Sequence, residues 1–339
     1  MSQSEFDIIK KYFGTSDLNQ DNEHIELGIG DDAALISIPA GQNLTISTDV
    51  LVEGVHFPEN ADSGLVAKKA LAVNLSDLAA MAAKPLCFTL GLILPSASEN
   101  WLRKFSMALG KMAKEYGIAL VGGDLSKGPL TVAIQVHGTN RFGEALRRDK
   151  AKIGDSIYVT GELGDAAAGL LCVGGRSHIS DSFKLIDDNT PQNCRDVFVK
   201  AYYEPRPRVT FALRCKEYIN SAIDISDGLQ GDLSHILRAS RVGARVEIQR
   251  IPFSKEASSC FTTENLYRAA LYGGDDYELC VTVSRENCSK FEQEALRSDT
   301  RITRIGEIIK GSEVQLVSVS ETNFLVDNPY LHFNKNSFE

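Results

Sequence analysis

Carboxylates beside glycine, serine or threonine recur along this chain, and they are the residues from which chemistry is to be argued. Asp31 and Asp32 follow the pivot Gly28-Ile29-Gly30. Asp49 closes Ile46-Ser47-Thr48-Asp49, Asp77 closes Asn74-Leu75-Ser76-Asp77, and Asp124 follows Gly122-Gly123. Asp224 and Asp227 stand in Asp224-Ile225-Ser226-Asp227-Gly228, and a second glycine-acid cluster runs from Gly273 to Leu279. Taken singly, each fits turn chemistry, because Asp tolerates tight turns and bonds its own backbone. The set asks for more. Mg²⁺ takes oxygen ligands and binds through one or two carboxylates plus substrate phosphates. Carboxylates delivered from several strand ends suit several such ions around one polyphosphate, so the expectation is a multi-magnesium nucleotide site.

Strands, turns and helices must present these groups. The spacing of Phe6, Ile8, Ile9, Tyr12 and Phe13 predicts a short amphipathic helix over 5–13. Residues 33–38 and 44–47 read as two strands joined by the turn-like Pro39-Ala40-Gly41-Gln42, and 48–57 as a strand-like run with Asp49 at its start and His56 near its end. A lone histidine serves structure as readily as function, and Glu53 fits a solvated face equally well. Residues 63–81 read as a helix of small residues and leucine, with Asn74 and Asp77 on one face. Polar groups on so apolar a helix must be satisfied or be functional. Strands follow over 88–94, 118–121 and 131–138, with an amphipathic helix over 101–117 that counts Leu102, Phe105, Met107, Leu109 and Met112 in its apolar set. The Gly122-Gly123 pair lets backbone approach a ligand while Asp124 projects from the strand end.

Over 144–152 the composition turns charged, marking a crossing between two domains, 1–148 and 149–339. Arg147 and Arg148 there fit a phosphate contact or a solvated linker. Beyond it, 156–160 reads as a strand, and the glycine-rich turn 161–169 lacks the G-x-G-x-x-G spacing. Helices are expected over 195–203 and 209–219. Further strands are expected over 242–248, 279–283, 302–309 and 314–319. Strands and helices mixed without regular βαβ alternation indicate two α+β domains.

Bulk properties narrow the class. The 339 residues suffice for two cores, and 43% hydrophobic with 24% charged residues is ordinary for a soluble globular protein. A net charge of −9 argues against nucleic acid or an anionic membrane as main partner, since both need basic patches. The seven cysteines form no C-x-x-C pair, which indicates a reduced cytoplasmic setting without zinc site or disulfide framework. No secretory leader is evident, and no apolar run reaches about 18 residues. A P-loop is absent and so are protein-kinase signatures.

The ordered set Gly28-Ile-Gly-Asp-Asp32, Ser47-Thr-Asp49, Val73-Asn-Leu-Ser-Asp77, Gly122-Gly-Asp124, Ile223-Asp-Ile-Ser-Asp-Gly228 and Gly273-Gly-Asp-Asp-Tyr-Glu-Leu279 resembles the thiamine-monophosphate kinase family, part of the ATP-binding superfamily of aminoimidazole ribonucleotide synthetase. The resemblance runs from about residue 5 to 333. It implies an N-terminal α/β domain that dimerises through its sheet, a C-terminal α+β domain and an active site in the cleft between them. It also implies an ATP-dependent phosphotransferase that makes thiamine diphosphate from thiamine monophosphate, the final step of thiamine diphosphate biosynthesis, as a cytoplasmic homodimer.

By matching positions, the resemblance makes Asp32, Asp49, Asp77, Asp124, Asp224 and Asp227 magnesium ligands, with Ser47 and Thr48 lending oxygens. Gly123, Asp124, Arg148 and Ser226 would contact ATP, and His56, Asp275 and Tyr330 thiamine phosphate. The family often has glutamate where Asp275 stands, so this carboxylate is one methylene shorter. An acceptor phosphate is already ionised and needs no general base, which favours direct in-line transfer with electrostatic help from the metals, Asp124 and Arg148 and no protein nucleophile.

Two relatives in the superfamily fit less well. Selenophosphate synthetase needs a reactive Cys or selenocysteine near the N-terminus, whereas the first cysteine here is Cys87, and the carbamoyl-transfer hydrogenase maturation protein needs a C-terminal cysteine where this chain ends Ser337-Phe338-Glu339. A nucleotide-binding or magnesium-sensing module without turnover is the alternative from another class.

Overall fold

A computed structural model describes residues 4–175, 186–187 and 189–318. It divides into two units, Met1–Ala145 and Leu146–Glu339.

In the first unit α1 (Glu5–Ile8) runs on as a π-helical turn over Ile9–Phe13, burying Ile8, Tyr12 and Phe13. Next come β1 (Ile25–Leu27), β2 (Leu35–Ile36), β3 (Gln42–Val52), α2 (Ser63–Ala80) and β4 (Lys84–Leu94). The unit closes with α3 (Glu99–Tyr116), β5 (Ala119–Lys127) and β6 (Thr131–Arg141). The four long strands form one sheet in the order β3-β6-β4-β5, antiparallel except for the parallel β4-β5 pair.

Three details differ from the sequence reading. Residues 33–38 and 44–47 do not pair with each other, because β2 takes β1 as its partner while β3 runs along β6 from Gln42 to Val52. Asp49 and Asp124 consequently lie within long strands rather than at strand ends. Met107 is 65% exposed. Two residues on from the buried Phe105, it falls about 200° around the helix and misses the apolar stripe.

α2 forms because Ala and Leu lose little on entering a helix, and its small side chains let it sit buried on nearly every side. Its start is fixed by Asp62, whose carboxylate accepts from the backbone N–H of Gly64 at 2.9 Å and Leu65 at 3.3 Å and pairs with Lys104 at 2.8 Å. α3 ends at Gly117, held at φ 61 where a side chain is disfavoured.

The second unit begins with β7 (Ser156–Thr160), α4 (Asp165–Cys172), α5 (Gln192–Tyr203), α6 (Val209–Cys215), β8 (Ile219–Ile225) and α7 (Leu229–Ser240). It continues with β9 (Gly243–Glu247), α8 (Lys255–Cys260), α9 (Thr263–Tyr272), β10 (Glu278–Val283), α10 (Cys288–Leu296), β11 (Ile302–Ile309) and β12 (Val314–Val317). Its sheet has the order β12-β9-β11-β7-β10-β8, antiparallel except at the β12-β9 edge. The helix expected over 209–219 stops at Cys215, passes through a 3-10 turn, and gives Ile219 to the sheet opposite Val283. Phe291 anchors the core against Tyr158 and Phe211, with ring centroids 5.0 and 5.9 Å away.

The cap on α2 carries a testable consequence. The Lys104 hydrogen bond, helped by the two N–H groups, holds the Asp62 carboxyl below its ordinary value. A lowered carboxyl stabilises the fold above its unfolded-state pKa and loses that contribution as pH falls through the folded-state value. Asp62→Ala is expected to lower stability by about 1 kcal/mol near neutral pH. Urea unfolding at roughly pH 7 and roughly pH 3 checks this, and the gap between variant and wild type should narrow at the lower pH.

Candidate active site

In the first unit the site is built where β3 meets α2. Alternation along β3 sends Ser47 and Asp49 to the same face of the sheet and Thr48 to the other, where its hydroxyl accepts from Gln135 Nε2 at 2.9 Å. Ser47 Oγ donates to Asp77 Oδ2 on α2. One turn earlier Asn74, fully buried, accepts from the backbone N–H of Asp49 at 3.1 Å and donates to the carbonyl of Ala70 at 2.9 Å. Asn74 is thus a clamp between strand and helix that sets the position of Asp49. Burial first, and the neighbouring Asp77 charge second, push the Asp49 carboxyl up to about 6. Two carboxylates this close resist being ionised together, which is the electrostatic setting a divalent cation relieves.

Register places Asp49, Ile134, Leu90 and Gly123 side by side across the sheet, with Asp124 one residue further along β5. Gly123 has φ 151, and a Cβ there would overlap the Leu90 carbonyl, so this strand position accepts only glycine. Asp124, exposed, accepts from Ser126 Oγ at 2.8 Å. Asp32 is exposed too, and its N–H donates to Asp31 Oδ1 at 2.8 Å. Asp32 and Asp124 share a cleft of about 620 Å³ whose walls include Phe6, Phe13, Gly30 and Gly123. Its lining combines apolar side chains with carboxylates and glycine backbone, the mixture a nucleotide site uses.

In the second unit Asp224, buried, stands in β8 opposite Leu279 of β10. The loop that follows is held by Asp232 on the first turn of α7. Its Oδ2 accepts from the N–H groups of Ser226 at 2.9 Å and Asp227 at 3.0 Å. Burial pushes the Asp232 carboxyl up to about 7, with the Asp227 charge adding and the two N–H groups and Arg148 opposing. Those N–H groups are therefore occupied. Asp232 was missed in the sequence; the legible signal was an acid in the first turn after Ser226-Asp227-Gly228.

The two arginines of the crossing segment part company. Arg147 grips Asp149 through Nε at 2.8 Å and a terminal nitrogen at 2.7 Å, and this pairing holds the Asp149 carboxyl down at about 2. Arg148 instead has its carbonyl anchored by Ser240 Oγ at 2.8 Å and its charge felt by Asp232 and His235.

Of the residues expected to face the acceptor, His56 follows β3 and its Nδ1 accepts from the N–H of Val52 at 3.0 Å. The ring therefore carries its proton on Nε2. Asp275 lies in the second unit, its N–H donating to the Ser226 carbonyl at 2.8 Å, and its charge is felt by Tyr202. Tyr330 lies outside the described residues.

Among the described residues no three His, Cys, Asp or Glu side chains form a ready metal cage. The paired Asp49 and Asp77 still fit Mg²⁺, which takes one or two carboxylates and completes its shell with water and substrate phosphate.

The AIR synthase related protein family matches with its N-terminal domain over residues 30–140 and its C-terminal domain over residues 152–318. The thiamine-monophosphate kinase of Escherichia coli strain K12 is 45% identical over 287 residues, 85% of each chain. A crystal structure of thiamine-monophosphate kinase from Stenotrophomonas maltophilia K279a superposes with a TM-score of 0.81 at 38% identity, over 93% of this chain and 97% of its own. AaThiL complexed with AMPPCP and TMP superposes with a TM-score of 0.73 at 27% identity, over 98% and 99%. The chain belongs to the AIR synthase related proteins and, within them, to the thiamine-monophosphate kinases.

Proposed function

We propose that this chain transfers the γ-phosphoryl group of ATP to thiamine monophosphate, forming thiamine diphosphate and ADP, with Mg²⁺ held by Asp32, by the aspartates on β3, α2 and β5, by Asp224 near the end of β8 and by Asp227 in the loop that follows. The observation that carries the reading is the Asp49–Asp77 pair, two carboxylates held by Asn74 and Ser47 and near enough for the Asp77 charge to raise the Asp49 carboxyl. The family membership and the neighbour bound to AMPPCP and TMP support the two substrates.

When bound, Mg²⁺ supplies the positive charge that lets two polyanions meet. The protein's own groups do the positioning. Gly123 lets β5 run tight against Leu90 of β4, Asp32 and Asp124 border the same cleft, and in this reading the Ser226 hydroxyl and the Arg148 guanidinium contact the phosphates. The Nε2 proton of His56 and the Asp275 carboxylate orient the acceptor. Because an acceptor phosphate arrives ionised, the transfer is in line and direct, with no phosphorylated enzyme.

The domain division follows the charged crossing near residue 148. Leu44, Ile46 and Val50 are 42%, 53% and 46% exposed on one face of β3, an apolar row that suits a second copy of the same sheet, so we take the working form to be a homodimer. Seven free thiols suit the reducing cytoplasm. Among the described residues no helix is long and apolar enough to cross a membrane.

Incubation with ATP, Mg²⁺ and thiamine monophosphate should yield thiamine diphosphate and ADP in equal amounts and none after chelation; ADP without thiamine diphosphate would reject the acceptor. Asp124→Asn should lower turnover by about a hundredfold or more while leaving the circular dichroism spectrum unchanged. Since burial and the Asp77 charge push the Asp49 carboxyl up to about 6, protons compete with the cation below that pH. The Mg²⁺ concentration giving half-maximal rate should therefore rise as pH falls through 6, and a flat profile would remove Asp49 from the metal set. Ile46→Asp is expected to convert the dimer to monomers in sedimentation velocity.

A further inference from the structure

The loop from Gly273 to Tyr277 is backbone that does not hold itself. Gly274, Asp275 and Tyr277 have φ of 69, 62 and 50, and two of these are residues with side chains in the left-handed region. Such conformations persist only where the surroundings over-determine them. On the upstream side the loop leans on the 225–228 turn, with Asp275 N–H on the Ser226 carbonyl and Tyr277 N–H on the Ile225 carbonyl, both at 2.8 Å. A Cβ on Gly274 would come within 2.5 Å of that Ser226 carbonyl, so the two loops are in contact.

The downstream anchor is Glu278. Its carboxylate, nearly buried, receives Thr160 Oγ1 at 2.5 Å, Arg208 Nε at 2.6 Å and a second Arg208 nitrogen. Thr160 Oγ1 in turn accepts from the N–H of Leu279 at 2.8 Å. The seat is shaped for this one carboxylate: Gly161 has φ 60, and a Cβ there would overlap Glu278. Between the two anchors Asp276 receives the Gly164 N–H on both oxygens, at 3.0 and 2.9 Å. None of these groups is a ligand of metal or nucleotide in the reading above.

We propose that Arg208 and Thr160, acting through Glu278, are positioning residues that hold the 273–277 loop in its strained form and so set the place of Asp275 against the acceptor phosphate. The inference rests on the assignment of Asp275 to the acceptor. Arg is needed at 208 because only its planar fork meets both carboxylate oxygens at once; Lys keeps the charge and loses the second bond.

The test uses Arg208→Lys and Thr160→Val, with Thr160→Ser as the rescue that keeps the hydroxyl. In amide hydrogen exchange on the full chain, the amides of 275 and 277 should exchange about tenfold faster in Arg208→Lys and Thr160→Val, with β9 and β11 unchanged and Thr160→Ser like wild type. In steady-state kinetics the KM for thiamine monophosphate should rise about tenfold while the KM for ATP stays within about twofold. Unchanged exchange in both variants, or protection lost equally across the whole unit, would overturn the proposal, as would equal rises in both KM values. If the wild-type chain neither binds nor turns over thiamine monophosphate, the acceptor assignment fails, and with it the role given to the clamp, while the exchange arm separately reports whether the loop is held.

Discussion

Two like charges held close govern the first unit. Asp49 on β3 and Asp77 on α2 are brought together by a helix buried on nearly every side, so neither can relax away without moving the core. Asn74 ties the strand backbone to the helix, and Ser47 ties the strand hydroxyl to the Asp77 carboxylate. Burial raises the energy of the ionised Asp49 carboxyl and the Asp77 charge adds to it, so a cation beside the pair lowers that energy. A chemistry that uses a dissolved cation to join two phosphates suits that setting.

The second unit treats its acids differently. Asp232, Asp276 and Glu278 are all buried, and each has donors of its own: two backbone N–H groups, one backbone N–H on both oxygens, and an arginine fork with a threonine hydroxyl. These acids brace the loops that carry Asp227 and Asp275. In the second unit, then, buried acids matched with donors hold backbone in place.

Much of this was legible in the residue order. Helical spacing located α2 and α3 to within two residues, and the apolar runs located β4, β7 and β10, because periodicity reflects burial directly. The aspartates expected to bind metal divide into the groups described, but sequence spacing cannot tell that Thr48 faces away from Ser47 and Asp49, a consequence of β3 continuing straight through them. Pairing partners were equally hidden. The strands expected on either side of Pro39-Ala40-Gly41-Gln42 pair elsewhere, β2 with β1 and β3 with β6, and residue order alone does not choose between such partners. Asp232 and Arg208 escaped notice since their roles depend on loops that only the folded chain brings near.

The strand order of the second unit also orders its making. β7 is an interior strand whose two neighbours, β10 and β11, come far later in the chain; the bond from Thr160 to Glu278 spans 118 residues. The first unit, by contrast, has every strand of its sheet by Arg141. As the chain leaves the ribosome from its N-terminus, the first unit closes its sheet while β7 waits, unpaired on both edges, for the last third to be made. Loop closure over such a distance is slow, so the nascent second unit passes through a long interval in which an apolar strand is open to chaperones or to wrong partners.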